Sequence, residues 1–286
     1  MWFLDYLKSS IGKKQLMGLA GFLLAGFLIG HLLGNFQLLK PDPASAQASY
    51  NAYTKFLTGL KPLIWIIEGI LAALFLCHVA VATKLKLENR GARGKSRYAV
   101  SARAGGPTPA SSTMYLTGLA VLVFVVLHLA VFKFGHHYLY LDEHGEVIRD
   151  MWLTTVLFLG DPLLMGLYVA DLLILGIHLF HALPSFCRTF GLVHTKWTRP
   201  FTALGRLTAV FLTLGFVGTA LGTFALTRTA SVQAQIKYAQ STQGELEALQ
   251  RARAAAAKPA IERAKDALAA ERAKLPASGA RTTNDK

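Results

Sequence analysis

The chain has 286 residues, a formal net charge of +14, and 53% hydrophobic residues with a mean hydropathy of +0.39. Only 16% of its residues are charged, against about 25% in soluble domains, so the composition predicts an integral membrane protein. The basic residues cluster in particular connections, so membrane topology explains the positive charge better than nucleic-acid binding does. Two cysteines without a C-x-x-C pattern are too few for an iron–sulfur cluster and indicate neither zinc nor covalently attached haem.

Apolar stretches long enough to cross a membrane, which takes about 20 residues, recur along the chain. They cover roughly residues 15–39, 63–83, 114–134, 162–184 and 207–226. The segment 40–62 between the first two is predicted to form a short amphipathic helix on the membrane surface. We therefore predict an all-α integral membrane bundle of five transmembrane helices in residues 1–227. Residues 228–286 are predicted to form a charged tail, helical at first with an interruption at Pro259, and disordered at its end.

Lysine and arginine are concentrated on one side of the predicted bundle. The N-terminal segment and the second and fourth connections carry 14 of them, whereas the first and third connections carry 5. The positive-inside rule predicts that the first set faces the cytoplasm, and we call that side the inner side. The N-terminus is then cytoplasmic, and five spans place the C-terminal tail outside.

Each of the first four spans contains one histidine: His31, His78, His128 and His178. A histidine in hydrocarbon needs a polar partner. Because successive spans run in opposite directions, His31 and His128 fall in an outer layer and His78 and His178 in an inner layer, roughly 10–20 Å apart. Two histidines at one depth can ligate a haem iron from both faces. The pattern predicts two bis-histidine haems, and the alternative is that each histidine only hydrogen-bonds between helices.

Further polar residues lie within the spans. His181 follows His178 by three residues, so it is a competing iron ligand or a contact for a haem propionate. Glu68 lies in the outer third of the second span, where it could relay protons to a quinone near the outer haem. The alternative for Glu68 is an interfacial role, reaching lipid headgroups or pairing with a nearby lysine. Asp171 is expected to bond a backbone group or a neighbouring helix.

Several stretches resemble the dihaem cytochrome b membrane-anchor subunit of succinate dehydrogenase and quinol:fumarate reductase, in its five-helix, single-polypeptide form. They are GHLLGN around His31, YNAYTKFL followed by IIEGI around Glu68, CHVAVATKLKLENRGAR around His78, SSTMYLTG before the His128 span, and IHLFHALPSFCRTFGL around His178. The likeness covers about residues 10–227. This chain departs from the family at Asp171, where an apolar residue is usual, and in its long tail.

The resemblance implies an electron-transfer subunit of a succinate:quinone oxidoreductase in a bacterial inner membrane. It implies that His178, not His181, ligates the iron, and that helices pair one with three and two with four. It also implies a flavoprotein and an iron–sulfur subunit on the cytoplasmic face. Electrons would pass between the iron–sulfur subunit, the inner haem, the outer haem and a quinone, usually menaquinone. The direction of electron flow and any higher oligomer of the complex stay open.

Two other functions compete with this reading. One is a cytochrome b of another quinone-linked oxidoreductase, which the partner that co-purifies would distinguish. The other is a histidine-lined membrane transporter, which would favour polar routes and helices broken at their centres. Spans one to three contain no central proline, which disfavours a transporter.

Overall fold

The computed structural model of the chain describes residues 2–92 and 109–273, which are almost entirely helical. In chain order the helices are α1 (Trp2–Lys8), α2 (Ser10–Asn35), α3 (Pro43–Gly59), α4 (Leu63–Ala92), α5 (Pro109–Phe132), α6 (Met151–Gly160), α7 (Pro162–Thr189), α8 (Thr198–Leu226), α9 (Ala230–Ser241) and α10 (Gln243–Ala273). A single 3₁₀ turn, Phe36–Leu39, extends α2. An antiparallel hairpin of β1 (Leu139–Leu141) and β2 (Val147–Arg149) precedes α6.

The predicted all-α membrane bundle is confirmed. Among the residues that the structure describes, five helices are long and apolar enough to cross a membrane, namely α2 with its 3₁₀ extension, α4, α5, α7 and α8. The helices extend past the predicted spans at their inner ends, most in α4, which continues to Ala92, and in α8, which begins at Thr198. The prediction stopped each span where charged residues begin, whereas a helix can continue beyond the hydrocarbon and keep its charged side chains in water.

Helix starts follow local capping chemistry. The Asp42 carboxylate accepts a hydrogen bond from the Ser45 amide at 2.8 Å and begins α3. The Asp161 carboxylate accepts from the amides of Leu163 and Leu164, both at 2.9 Å, and proline occupies the first turn of α7. These are the side-chain acceptor and the rigid first residue that helix N-termini favour.

The spanning helices pack in the order α4, α2, α7 and α5 around a common interior, and α8 lies outside against α7 and α2. The apolar core is centred on α2, α7 and α8, with Leu32, Leu172 and Leu212 buried. Glycines allow the close approach: a side chain at Gly176 would collide with Thr213, and one at Gly215 would collide with Leu32. Small residues at helix contacts are typical of membrane bundles.

A second apolar cluster closes the outer end of the bundle. It joins the end of α2 with α3, α6 and α9 through Leu38, Tyr50, Trp152, Val232 and Ile236. Neither α6 nor the hairpin was predicted from the sequence, and all residues after 227 were predicted to be tail. The structure instead buries the apolar face of α9 in this cluster, which we call the outer cap.

Asp150 is the polar centre of the outer cap and is fully buried. Its carboxylate accepts hydrogen bonds from Gln47 Nε2 at 2.5 Å, Asn51 Nδ2 at 2.8 Å and the Leu153 amide at 2.9 Å. Gln235 of α9 donates to Gln47 at 2.6 Å. Burial raises the pKa of Asp150. These bonds connect α3, α6 and α9, which lie far apart in the chain.

The later tail is also helical. α10 continues through Pro259 where an interruption was predicted. The residues around Pro259 are mostly alanine, lysine, arginine and glutamate, which favour helix strongly enough to offset one proline. Arg253 donates to the Gly145 carbonyl at 2.7 Å and so connects the first half of α10 to the hairpin. The end of the tail, predicted to be disordered, lies outside the described residues.

We expect Asp150→Ala to lower the free energy of unfolding by about 2–4 kcal/mol, because a helix cap is lost and buried amide donors lose their acceptor. Unfolding in mixed detergent micelles measures the change. Asp42→Ala is the matched control, since it removes an exposed cap and should cost about 1 kcal/mol. Equal losses in the two variants would contradict a central role for Asp150.

Candidate functional site

The four span histidines meet as two pairs. α2 and α5 bring the rings of His31 and His128 to a centroid separation of 5.9 Å, with an angle of 86° between their planes. α4 and α7 bring the rings of His78 and His178 to 6.4 Å, with an angle of 77°. These are the two pairings predicted from depth, one towards each end of the bundle. We call them the outer pair and the inner pair.

The spacing within each pair leaves room for one metal ion. An ion held about 2 Å from one nitrogen of each of two imidazoles places the ring centroids roughly 6 Å apart. Across residues 2–92 and 109–273, no group of three or more His, Cys, Asp or Glu side chains is placed to hold a metal. A protein zinc site uses three or four such ligands, whereas haem iron arrives with its porphyrin and takes only axial ligands from the protein. Two histidines are therefore the number of protein ligands that a haem iron with two axial positions takes.

The inner pair has one nitrogen of each ring engaged by the protein. His78 Nδ1 lies 2.9 Å from the Met17 carbonyl oxygen on α2, so it donates to that acceptor. His178 Nδ1 lies 3.1 Å from Thr117 Oγ1 on α5. A histidine that ligates a metal commonly bonds the protein through its other nitrogen, which fixes its tautomer and orientation. Here Nδ1 is the bonded atom in both rings, and Nε2 remains for a ligand.

The outer pair lies among aromatic side chains. His128 Nδ1 is 3.3 Å from the Tyr168 hydroxyl of α7, so this ring also has Nε2 left for a ligand. His31 stacks on Phe27 with centroids 5.5 Å apart and lies 5.8 Å from Phe216. Aromatic packing restricts the orientation of the His31 ring and keeps water from the pair.

Glycines give the inner pair its space against the helix backbones. A Cβ added at Gly21 would lie 2.8 Å from His78 Cε1, and one at Gly118 would lie 3.3 Å from His178 Cε1. The glycines of α2 that recur every fourth residue, Gly26, Gly30 and Gly34, behave differently. Gly34 packs against Tyr53, whereas a Cβ added at Gly26 or Gly30 would have no atom of the described chain within 4 Å.

A cavity of about 90 Å³ adjoins the outer pair beneath the outer cap. Besides His31 and His128, its walls include Asn35, Tyr50 and Tyr168. The Tyr50 hydroxyl donates to Asn35 Oδ1 at 3.2 Å. Burial raises the pKa of Tyr50 to about 12, so the residue is a neutral hydrogen-bond donor at physiological pH. The cavity thus has uncharged polar groups next to the outer histidines.

His181 is placed differently from the pairs. Its Nδ1 bonds the Ile177 carbonyl of its own helix at 3.0 Å, and its ring lines a groove between α7 and α8. The ring that pairs with His78 is that of His178, and the choice of His178 as an iron ligand stays a prediction. A contact between His181 and a haem propionate stays a prediction.

Glu68 forms an ion pair with Lys133 at the outer end of α5, and both side chains are about two-fifths exposed. Pairing with a lysine was one of the two interpretations of Glu68, and a proton relay through the same carboxylate stays a prediction. Within the described residues, the Asp171 side chain makes no hydrogen bond or ion pair, so the expected bond to backbone or helix is not seen there.

Sequence reasoning missed the groups that bond the histidine rings, namely the Met17 carbonyl, Thr117 and Tyr168. Thr117 could have been found from its spacing. It lies eleven residues, or three helical turns, before His128, so it is on the same face of α5 as that histidine. The Met17 carbonyl could not have been found from the sequence, since any residue at that height provides a carbonyl.

Comparison of the chain with protein-family models, with curated proteins and with solved structures finds no match. The function must therefore be inferred from the geometry of the two histidine pairs and from the short motifs that surround them. The geometry bears on cofactor chemistry, and the motifs bear on which reaction the cofactors would serve.

Proposed function

We propose that the chain is a membrane cytochrome b that binds two haems, one between His31 and His128 and one between His78 and His178. The observation that carries the proposal is the orientation of the imidazoles. In three of the four rings Nδ1 is hydrogen-bonded to the protein, which leaves Nε2 as the coordinating atom within a pair of suitable separation. If the histidines only hydrogen-bonded between helices, the bonds of Nδ1 would be explained, but there would be no reason for the rings to meet in pairs.

The two pairs support electron transfer along the bundle. His78 packs against Gly21 of α2, and His31 lies ten residues further along the same helix, which corresponds to about 15 Å. Haem at each pair would supply one-electron redox chemistry. The protein residues fix the ring orientations and exclude water.

We propose further that the subunit belongs to a succinate:quinone oxidoreductase, on the strength of the motif resemblance. The quinone, which we take to be menaquinone, would accept or deliver electrons at the outer pair. The small cavity, with the polar groups of Tyr50 and Asn35 in its wall, supports a site there, and Glu68 would relay protons. The basic inner end would receive an iron–sulfur subunit and, beyond it, a flavoprotein. This orientation makes the N-terminus cytoplasmic in a bacterial inner membrane.

A pyridine haemochrome assay on the purified chain should give about two haems b per chain. His31→Ala and His128→Ala should each remove the same haem, and His78→Ala and His178→Ala should each remove the other, because each pair ligates one iron. Spectra and redox titrations of the single variants measure which haem is lost.

His144→Ala is the control, since this histidine lies on the exposed turn of the hairpin. It should retain both haems. Absence of haem from the wild-type protein would overturn the proposal, and loss of the same haem from His31→Ala and His78→Ala would overturn the pairing.

Gly21→Ala should perturb the inner haem selectively, because the new Cβ would crowd His78. Overpacking typically costs about 1–3 kcal/mol, so the inner site should lose haem while the outer haem keeps its spectrum. Gly26→Ala is the matched control on the same helix, where an added Cβ meets open space. Equal effects of the two substitutions would argue against close packing of His78 on α2.

Glu68→Gln should lower quinone turnover about 100-fold or more with both haem spectra intact, because a proton relay is removed while the shape is kept. Lys133→Gln distinguishes the proton-relay role of Glu68 from its ion-pair role, since it breaks the ion pair but keeps the Glu68 carboxyl group. We expect this variant to retain turnover, measured with a soluble menaquinone analogue. If both variants lose turnover equally, the ion pair rather than the proton relay explains the loss.

A further inference from the structure

An apolar groove of about 460 Å³ runs along the outside of the bundle between α7 and α8. Leu173, Ile177 and Phe180 line it on α7, and Val210 and Leu214 line it on α8. The Gly176–Thr213 contact forms its floor, because glycine lets the two helices approach there. From Leu173 to His181 the groove follows eight residues of helix, or about 12 Å.

The inner mouth of the groove is basic. Arg206 of α8 places its guanidinium carbon 5.3 Å from the centroid of Phe180, and His181 lines the groove across from it. Arg199 lies seven residues before Arg206 and Arg188 seven residues after His181, so both continue the same helix faces. All three arginines are exposed. The sequence has no aspartate or glutamate from residue 172 to residue 227, so this part of the hairpin carries no carboxylate to offset the charge.

We propose that this groove binds an anionic phospholipid, with an acyl chain along the apolar wall and the phosphate at Arg206 and His181. Arg206 lies twenty residues, or about 30 Å, before the end of α8 at Leu226, which equals the thickness of the hydrocarbon core. This separation places the guanidinium at the level of the headgroups and the groove beneath it. Basic pockets between spanning helices are typical sites for anionic headgroups.

Charge decides between the candidate occupants. A quinone tail would also fit an apolar groove, but its headgroup is neutral and gives no role to the arginines. A zwitterionic lipid carries a phosphate, but its own cation would meet the same basic mouth. The site involves neither histidine pair, so the inference stands independently of the proposed haem function.

Native mass spectrometry of the purified full chain in detergent tests the inference. The protein is titrated with dioleoyl phosphatidylglycerol and, separately, with dioleoyl phosphatidylcholine. The wild type should prefer phosphatidylglycerol. Arg206→Gln should weaken phosphatidylglycerol binding about fivefold, the change expected for one basic residue near the surface, and leave phosphatidylcholine binding unchanged. Arg90→Gln is the control, because it removes an exposed charge from the last turn of α4, outside the groove.

A second variant tests the apolar wall. Leu214→Trp should fill the groove and weaken phosphatidylglycerol binding even though Arg206 is retained, while glycerol 3-phosphate, which has no acyl chain, should not compete. Equal affinity of the wild type for the two lipids would overturn the inference. Equal losses in Arg206→Gln and Arg90→Gln, or displacement of phosphatidylglycerol by a menaquinone analogue, would overturn it as well.

Discussion

An imidazole inside a membrane has two ring nitrogens and no water to satisfy them, and this constraint organises the bundle. Three of the four span histidines bond the protein through Nδ1, using a carbonyl, a threonine and a tyrosine from neighbouring helices. These bonds fix how α2, α4, α5 and α7 are rotated about their axes. Nε2 is left for a ligand in these three rings, and the four rings stand in two pairs, so the helix arrangement and the proposed ligand sites have the same physical cause.

Much of this arrangement could be predicted from the sequence, because it depends on local quantities. The length of an apolar run identifies a span, and the alternating direction of successive spans converts position in the run into depth. These steps predicted the five spans and predicted that His31 lies at the depth of His128 and His78 at the depth of His178. Depth carries no information, however, about how each helix is rotated about its own axis. The partners Thr117 and Tyr168 depend on rotation, and therefore only the structure revealed them.

The outer cap could not be predicted because its contacts are distant in sequence and partly polar. Asp150 bonds Gln47 and Asn51, about a hundred residues earlier in the chain, and Gln235 extends the network to α9. The sequence of α9 is polar enough to suggest a solvated tail. Its few apolar residues, Val232 and Ile236 among them, become informative only when a matching apolar surface on α3 and α6 is known.

The two ends of the bundle present different chemistry next to the two histidine pairs. At the outer end the cap encloses a small cavity whose walls offer neutral hydroxyl and amide groups, with a Lys–Glu ion pair at the rim of the bundle. At the inner end the α7–α8 hairpin carries cations without carboxylates. A neutral molecule that exchanges protons suits the first environment, and anionic surfaces, whether lipid or protein, suit the second.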